Sequence, residues 1–153
     1  MNIDVQFKIL DQRIRDLGQT AVAYATKDSA GMDLRACIDE PLTLEPGKSV
    51  LVSTGISVFV EDPNYASIIL PRSGLGHKSG IILGNSVGLI DADYQGPLMM
   101  SLLNRTSTNF IINPMDRVAQ LVFVPIARAT LHEVEEFKPT ERGQGGFAST
   151  GVK

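Results

Sequence analysis

The sequence predicts an all-β subunit, a jelly-roll-like β-sandwich or barrel with at most one short helix. Three observations predict it. Apolar runs recur at strand length, Gly, Pro and Asn turns separate them, and no long stretch carries a helical period. Ile3, Val5, Phe7 and Ile9 alternate with Asp4, Gln6 and Lys8, the period-two pattern of a half-buried strand. Glu45-Pro46-Gly47 is a turn, after which residues 49–60 read as strand, broken at Thr54-Gly55. Asp62-Pro63-Asn64 turns the chain before a strand from Tyr65 to Leu70. Asn113-Pro114-Met115-Asp116 separates Phe110-Ile111-Ile112 from the apolar run Leu121 to Ile126. The short helix begins near Ser73 and ends by Gly80.

The 153 residues suit one domain, and an apolar share of 43% supplies a core. Residues 1–140 read as the β domain and 141–153 as a separate tail. From Glu141 to Gly151 there are four glycines and one phenylalanine, too little to bury a core. Arg142 and Phe147 among those glycines suggest a flap that orders over a ligand. The start Met1-Asn2-Ile3-Asp4 meets charge at once, unlike a signal peptide, and no run approaches the roughly 20 apolar residues of a membrane span. The one cysteine, Cys37, reads as a small buried apolar residue, so a cytoplasmic protein is expected. A formal charge of −3 argues against a non-specific nucleic-acid binder but not against an anionic small ligand. One guanidinium about 4 Å from a phosphate gains on the order of 4 kcal/mol at an effective dielectric of 20, which outweighs a weak net charge.

Five short motifs carry the chemistry. In Pro71-Arg72-Ser73-Gly74-Leu75-Gly76 a strand gives way to a helix start. Gly74 and Gly76 allow close backbone approach, and Arg72 offers a planar fork for phosphate oxygens. Gly84 to Gly96 reads as a hairpin, with Leu89 and Ile90 as buried strand residues and Asp91-Ala92-Asp93 as the turn. Carboxylates there commonly satisfy the turn's own N–H groups; one of them could instead activate a water. Tyr94 offers a flat face for a sugar or base. Arg117 and Gln120 place two polar side chains on one face of a strand, and Asp33 is a lone carboxylate at a strand start. Singly, each has an ordinary structural explanation.

Taken in order, Ala30-Gly31-Met32-Asp33-Leu34, Pro71 to Leu75, Gly84 to Gly96, Arg117 to Leu121 and Arg142 to Phe147 resemble the five motifs of the trimeric dUTPase family over nearly the whole chain. Ala148 departs from the pattern, which has glycine after the tail phenylalanine.

The resemblance implies a homotrimer of jelly-roll subunits that shares its active sites between chains and converts dUTP and water to dUMP and pyrophosphate. It implies that Asp91 is the general base, with Asp93 the less favoured carboxylate. Asp33 would hold Mg2+ through bound water, an ion that keeps several waters and takes phosphate oxygens. Arg72, Ser73, Gly74 and Gln120 would contact phosphates, and Arg142 would reach the γ-phosphate from a neighbour's tail. Uracil would meet Asn85 and the backbone of Gly88, Leu89 and Ile90. Tyr94 would lie against the deoxyribose, Met99 would close the same wall unless it is plain core, and Phe147 would stack on the base. The sequence leaves open whether Arg117 binds phosphate or holds a subunit contact. His77, and His132 on a late strand, receive no role, since neither has zinc-ligand spacing.

Two rivals are weighed against this. A dCTP deaminase of the same fold needs a catalytic glutamate near the phosphate motif, and none occurs between Glu61 and Glu133. A non-catalytic nucleotide-binding trimer would have lost its base or its tail, yet Asp91 and Arg142 are both present.

Overall fold

The expected turns are formed by local chemistry. Lys48 N–H donates to the Glu45 carbonyl at 3.1 Å across Gly47, whose φ is 70°. Tyr65 N–H donates to the Asp62 carbonyl, while the Asp62 carboxylate accepts from Asn64 N–H. Asp116 N–H donates to the Asn113 carbonyl in the same way. Gly55 takes φ 72° and ends one strand before the next, and a Cβ there would lie 2.5 Å from Cys37 Sγ.

These turns separate eleven strands among residues 2–146, the part of the chain that this computed structural model describes. They are β1 (Gln6–Ile9), β2 (Met32–Arg35), β3 (Leu42–Leu44), β4 (Ser49–Ser53), β5 (Ile56–Phe59), β6 (Tyr65–Pro71), β7 (Ile81–Leu83), β8 (Gly88–Ile90), β9 (Met99–Asn104), β10 (Phe110–Ile112) and β11 (Arg117–Pro125). All pair antiparallel, in sheets ordered β2-β11-β6-β8, β4-β9-β7, β1-β5 and β3-β10. Alternation along β9 sends Met100, Leu102 and Asn104 inward. Met100 and Leu102 join Leu34, Ile69, Leu121 and Val52 in one continuous core. The structure is thus all-β with short helices at its margin.

Several sequence expectations are corrected. Among the described residues there are two short α-helices, not one. α2 (Ser73–Lys78) is the expected helix, and α1 (Gln12–Asp16) is additional. Asp11 caps α1 by accepting from Arg13 N–H at 2.9 Å, and Gly18 at φ 62° follows its end. Only Ile14 of α1 is buried, too short a pattern to show a period. The Arg13 guanidinium also pairs with Asp11 at 2.6 Å and holds that carboxyl below the usual carboxylate range. The first strand is shorter than its alternation suggests, and Phe7 is 52% exposed. β8 does not return on β7. It pairs with β6 while β7 pairs with β9, so residues 84–96 cross between sheets instead of forming a simple hairpin. Finally, β11 ends at Pro125, and the segment 126–140 after it carries Leu131 and Phe137 about nine-tenths exposed. His132 lies on this segment, not on a strand.

Candidate active site

Register across β2, β11 and β6 assembles the first cleft. Gln120 on β11 stands opposite Asp33 on β2 and Leu70 on β6. In a regular strand, residues three apart, such as Arg117 and Gln120, face opposite ways. Here the pairing skips: Arg117 faces Arg35, but Ala119 faces Leu34 and Gln120 faces Asp33. Asp33 and Arg35 share a face, so the bulge at Val118 turns Arg117 and Gln120 to one side. Both line a cleft of about 340 Å³ with Gly31, Asp33, Arg72 and Ser73.

Within that cleft Asp33 bridges two arginines. Its Oδ1 lies 2.9 Å from Arg72 Nε and its Oδ2 lies 3.1 Å from Arg117 Nη1. Arg72 Nη1 also donates to the Arg117 carbonyl at 3.0 Å. The two guanidinium groups are thereby aimed, yet the Nη2 of each has no partner among the described residues and can meet an anion. Two cations against one carboxylate leave the cleft net positive. Gln120 Nε2 donates to the Pro71 carbonyl at 2.9 Å, and its Oε1 occupies the space a Cβ at Gly31 would need, 2.6 Å away. Gly74 sits exposed on the first turn of α2, where a Cβ would meet nothing within 4 Å; the chain's own packing does not demand a glycine there.

Sequence reasoning missed the brace behind α2. Gly76 N–H donates to the Arg72 carbonyl, and Arg105 Nη2 donates to the Gly76 carbonyl at 3.0 Å. Arg105 N–H also donates to the Gly80 carbonyl. A cation at a helix C-terminus satisfies a carbonyl that the helix leaves unpaired. Arg105 is held by its neighbour Asn104, which is fully buried. The Asn104 amide donates to the carbonyls of Leu44 (2.8 Å) and Thr108 (2.7 Å) and accepts from Thr106 N–H and Oγ1. The only sequence signal was a polar pair ending an apolar strand.

The second cleft, of about 220 Å³, is lined by Leu89, Ile90, Asp91, Tyr94, Pro97 and Met99 among others. Tyr94 N–H donates to the Asp91 carbonyl and closes the turn, and Tyr94 Oη donates to the Pro97 carbonyl at 3.1 Å. Leu89 is 66% exposed and Ile90 only half-buried, so the expectation that both are buried is corrected: one face of β8 looks outward into this cleft. Gly88 is glycine because β6 runs close behind it, with Ile69 Cβ 3.1 Å from where a Cβ would sit. Met99 is 38% exposed on the cleft wall, not plain core. The carboxylates of Asp91 and Asp93 are exposed and have no hydrogen-bond partner among the described residues, so neither serves its own turn. Asn85 is exposed in the preceding turn, where Val87 N–H takes its carbonyl, and does not line this cleft.

A family model of dUTPase matches residues 19–151. This chain belongs to the dUTPase family. A deoxyuridine 5'-triphosphate nucleotidohydrolase of Paraburkholderia phymatum is 60% identical over 151 residues, covering 99% of each chain. One of Neisseria meningitidis is 56% identical over 152 residues with the same coverage. Among solved structures, a mutant dUTPase of Staphylococcus bacteriophage 80alpha with dUpNHpp superposes at a TM-score of 0.79 with 26% identity, covering 99% of this chain and 100% of that one. A mutant dUTPase from phage phi11 of S. aureus, in which a structural Mg(II) ion is coordinated, gives 0.75 with 25% identity over 89% and 99%.

In this dUTPase-family chain the two clefts are well apart. Ile90 pairs with Ser67, and Arg72 lies five residues further along the β6 direction. At about 3.3 Å per residue, with Asp91 displaced the other way, Arg72 and Asp91 are roughly 20 Å apart. Among the described residues the tail motif lines neither cleft. Arg142 is exposed, and its Nε donates to the Gly145 carbonyl at 2.9 Å within its own loop. Phe147 and Ala148 lie outside the described residues. Among the described residues no group of three His, Cys, Asp or Glu could cage a metal. No helix among them is long and apolar enough to cross a membrane.

Proposed function

We propose that this chain hydrolyses dUTP to dUMP and pyrophosphate as a homotrimer whose active sites are shared between subunits. The separation of the two clefts carries the reading. A general base must reach its proton within about 3 Å, or through one water, so Asp91 cannot serve a triphosphate held by Arg72 of its own chain. Two copies side by side, each lending one cleft, remove the difficulty. The names of relatives at 56% and 60% identity support the substrate.

In this mechanism Asp91 takes a proton from a water while the water oxygen forms a bond to the α-phosphorus. The bond from that phosphorus to the bridging oxygen breaks, and pyrophosphate leaves with the electron pair. Arg72 and the neighbouring Ser73, Gly74 and Gln120 orient the phosphates. Arg117, held on Asp33, adds charge at the same wall, which supports a phosphate contact over a subunit contact for it. Arg142 of a third chain closes over the γ-phosphate, and Phe147 of that tail covers the base. Tyr94 and Met99 wall the deoxyribose. The backbone of Gly88 to Ile90 reads uracil, and Asn85, which lies outside the cleft in the preceding turn, would have to reach in to join it; cytosine would leave polar groups unpaired there.

The donor set fits Mg2+ as a companion of the nucleotide. Among the described residues Asp33 is the one carboxylate in its cleft, and each carboxylate oxygen keeps a lone pair for a metal-bound water beside its arginine. When bound, the ion neutralises charge on the leaving pyrophosphate. A cytoplasmic location belongs to the same proposal, and the buried free thiol of Cys37 suits a reducing compartment.

Pyrophosphate release tests this. With Mg2+, dUTP is expected to be cleaved and dCTP and dTTP spared. Asp91→Asn should retain dUTP binding and lose about 10²–10⁴-fold in turnover. Intact dUTP with the wild-type chain, or near-normal turnover by Asp91→Asn, refutes it.

A further inference from the structure

We infer that Gly96 is a positioning residue for sugar selectivity: it holds open the space in which the Tyr94 ring lies, and so governs discrimination between deoxyribo- and ribonucleoside triphosphates. The inference rests on the reading of Tyr94 as the sugar-facing ring. Tyr94 is 42% exposed, so core packing does not fix its ring. Two things do. Its hydroxyl donates to the Pro97 carbonyl at 3.1 Å, and the ring lies directly over Gly96. A Cβ at position 96 would come 2.4 Å from Tyr94 Oη, 2.6 Å from Cζ and 3.1 Å from Cε2. Comfortable carbon contacts are about 3.5–4.0 Å, so the ring would have to retreat by on the order of 1 Å.

The backbone does not call for glycine here. Gly96 is absent from the left-handed region, which Gly47, Gly55 and Gly80 occupy, so alanine fits its conformation. The three atoms nearest to such a Cβ all belong to the Tyr94 side chain. A ring pushed off Gly96 loses the Pro97 carbonyl and moves within the cleft that Asp91 and Met99 also line. A 2′-hydroxyl adds a single oxygen, and a wall that rejects it by contact loses that power when it shifts by about an ångström.

The test compares kcat/KM for dUTP and UTP in wild type, Gly96→Ala, Tyr94→Ala and the double variant. Gly96→Ala and Tyr94→Ala are each expected to lower the dUTP-to-UTP ratio by about tenfold or more. Because Gly96 acts through the ring, adding Gly96→Ala to Tyr94→Ala should change the ratio no further. A lowered ratio in Tyr94→Ala with an unchanged ratio in Gly96→Ala overturns the inference and leaves the reading of Tyr94 standing. An unchanged ratio in Tyr94→Ala removes that reading, and the inference with it. A further fall in the double variant shows that Gly96 acts otherwise, and overturns it. If Gly96→Ala fails to fold while the double variant folds, the ring contact is supported; failure of both overturns it.

Discussion

Two inactive variants should repair each other. Asp91→Asn damages one cleft and Arg72→Ala the other, and roughly 20 Å of backbone separates the two positions within a chain. If a site drew Asp91 and Arg72 from one chain, every chain in a mixture would carry a lesion and no site would work. If the site draws them from different chains, it works wherever an Arg72→Ala chain supplies Asp91 and an Asp91→Asn chain supplies Arg72. In trimers assembled at random from equal amounts, that is about a quarter of the sites. The assay is dUTP turnover by the two variants co-expressed with different tags and purified through both. Purification through both tags removes the homotrimers and raises the fraction to about a third of the sites, and each variant alone should be down by at least about 10²-fold, so a third of wild-type activity is unmistakable. Tandem-purified mixed trimers no more active than their parents would refute the shared site, and with it the argument from cleft separation.

Asn104→Ala removes four hydrogen bonds from a fully buried side chain and should lower stability by about 2–4 kcal/mol in urea unfolding at fixed protein concentration; a loss below about 1 kcal/mol contradicts the network. Desolvation pushes the Cys37 thiol from its ordinary 9.0 up to about 11, with the charge of Asp11 adding to it. The neutral thiol therefore favours the folded state fully below pH 9.0, and that contribution fades as pH rises through about 11. Wild type should accordingly lose stability relative to Cys37→Ala across that window, and parallel pH curves would remove the cause. Cutting the chain before Arg142 should leave the β body folded, because among the described residues the last strand ends at Pro125 and Arg142 bonds within its own loop, but should cost most of the activity. Loss of cooperative melting in the truncated chain would show that the tail is structural. Arg105→Ala should raise KM for dUTP more than it lowers kcat, with Arg105→Lys restoring part of the loss; a melting-point change without a KM change would make Arg105 merely structural.

The turns at Glu45 to Lys48, Asp62 to Tyr65 and Asn113 to Asp116 were legible because Gly, Pro and Asn constrain φ and ψ within four residues. The break at Gly55 and the helix after Arg72 were legible for the same reason. The five motifs named the chemistry because they are short runs of residue types. The helix at Gln12–Asp16 was not legible, having one buried residue, and the outward face of β8 was hidden by its apolar composition.

The amino-acid order alone therefore determined the turns, the break at Gly55 and the set of reactive side chains, all of which depend on neighbours a few positions apart. Only the tertiary structure decided that a bulge at Val118 turns Arg117 to the side of Gln120, that Asp33 is shared by two arginines, and that β8 lies on β6. It also decided that the Tyr94 ring rests over Gly96 and that Arg105 braces the helix behind Arg72. Register and close approach between residues far apart in the chain are properties of the packed sheets, since a one-residue shift in pairing reverses every side chain while leaving each local pattern unchanged.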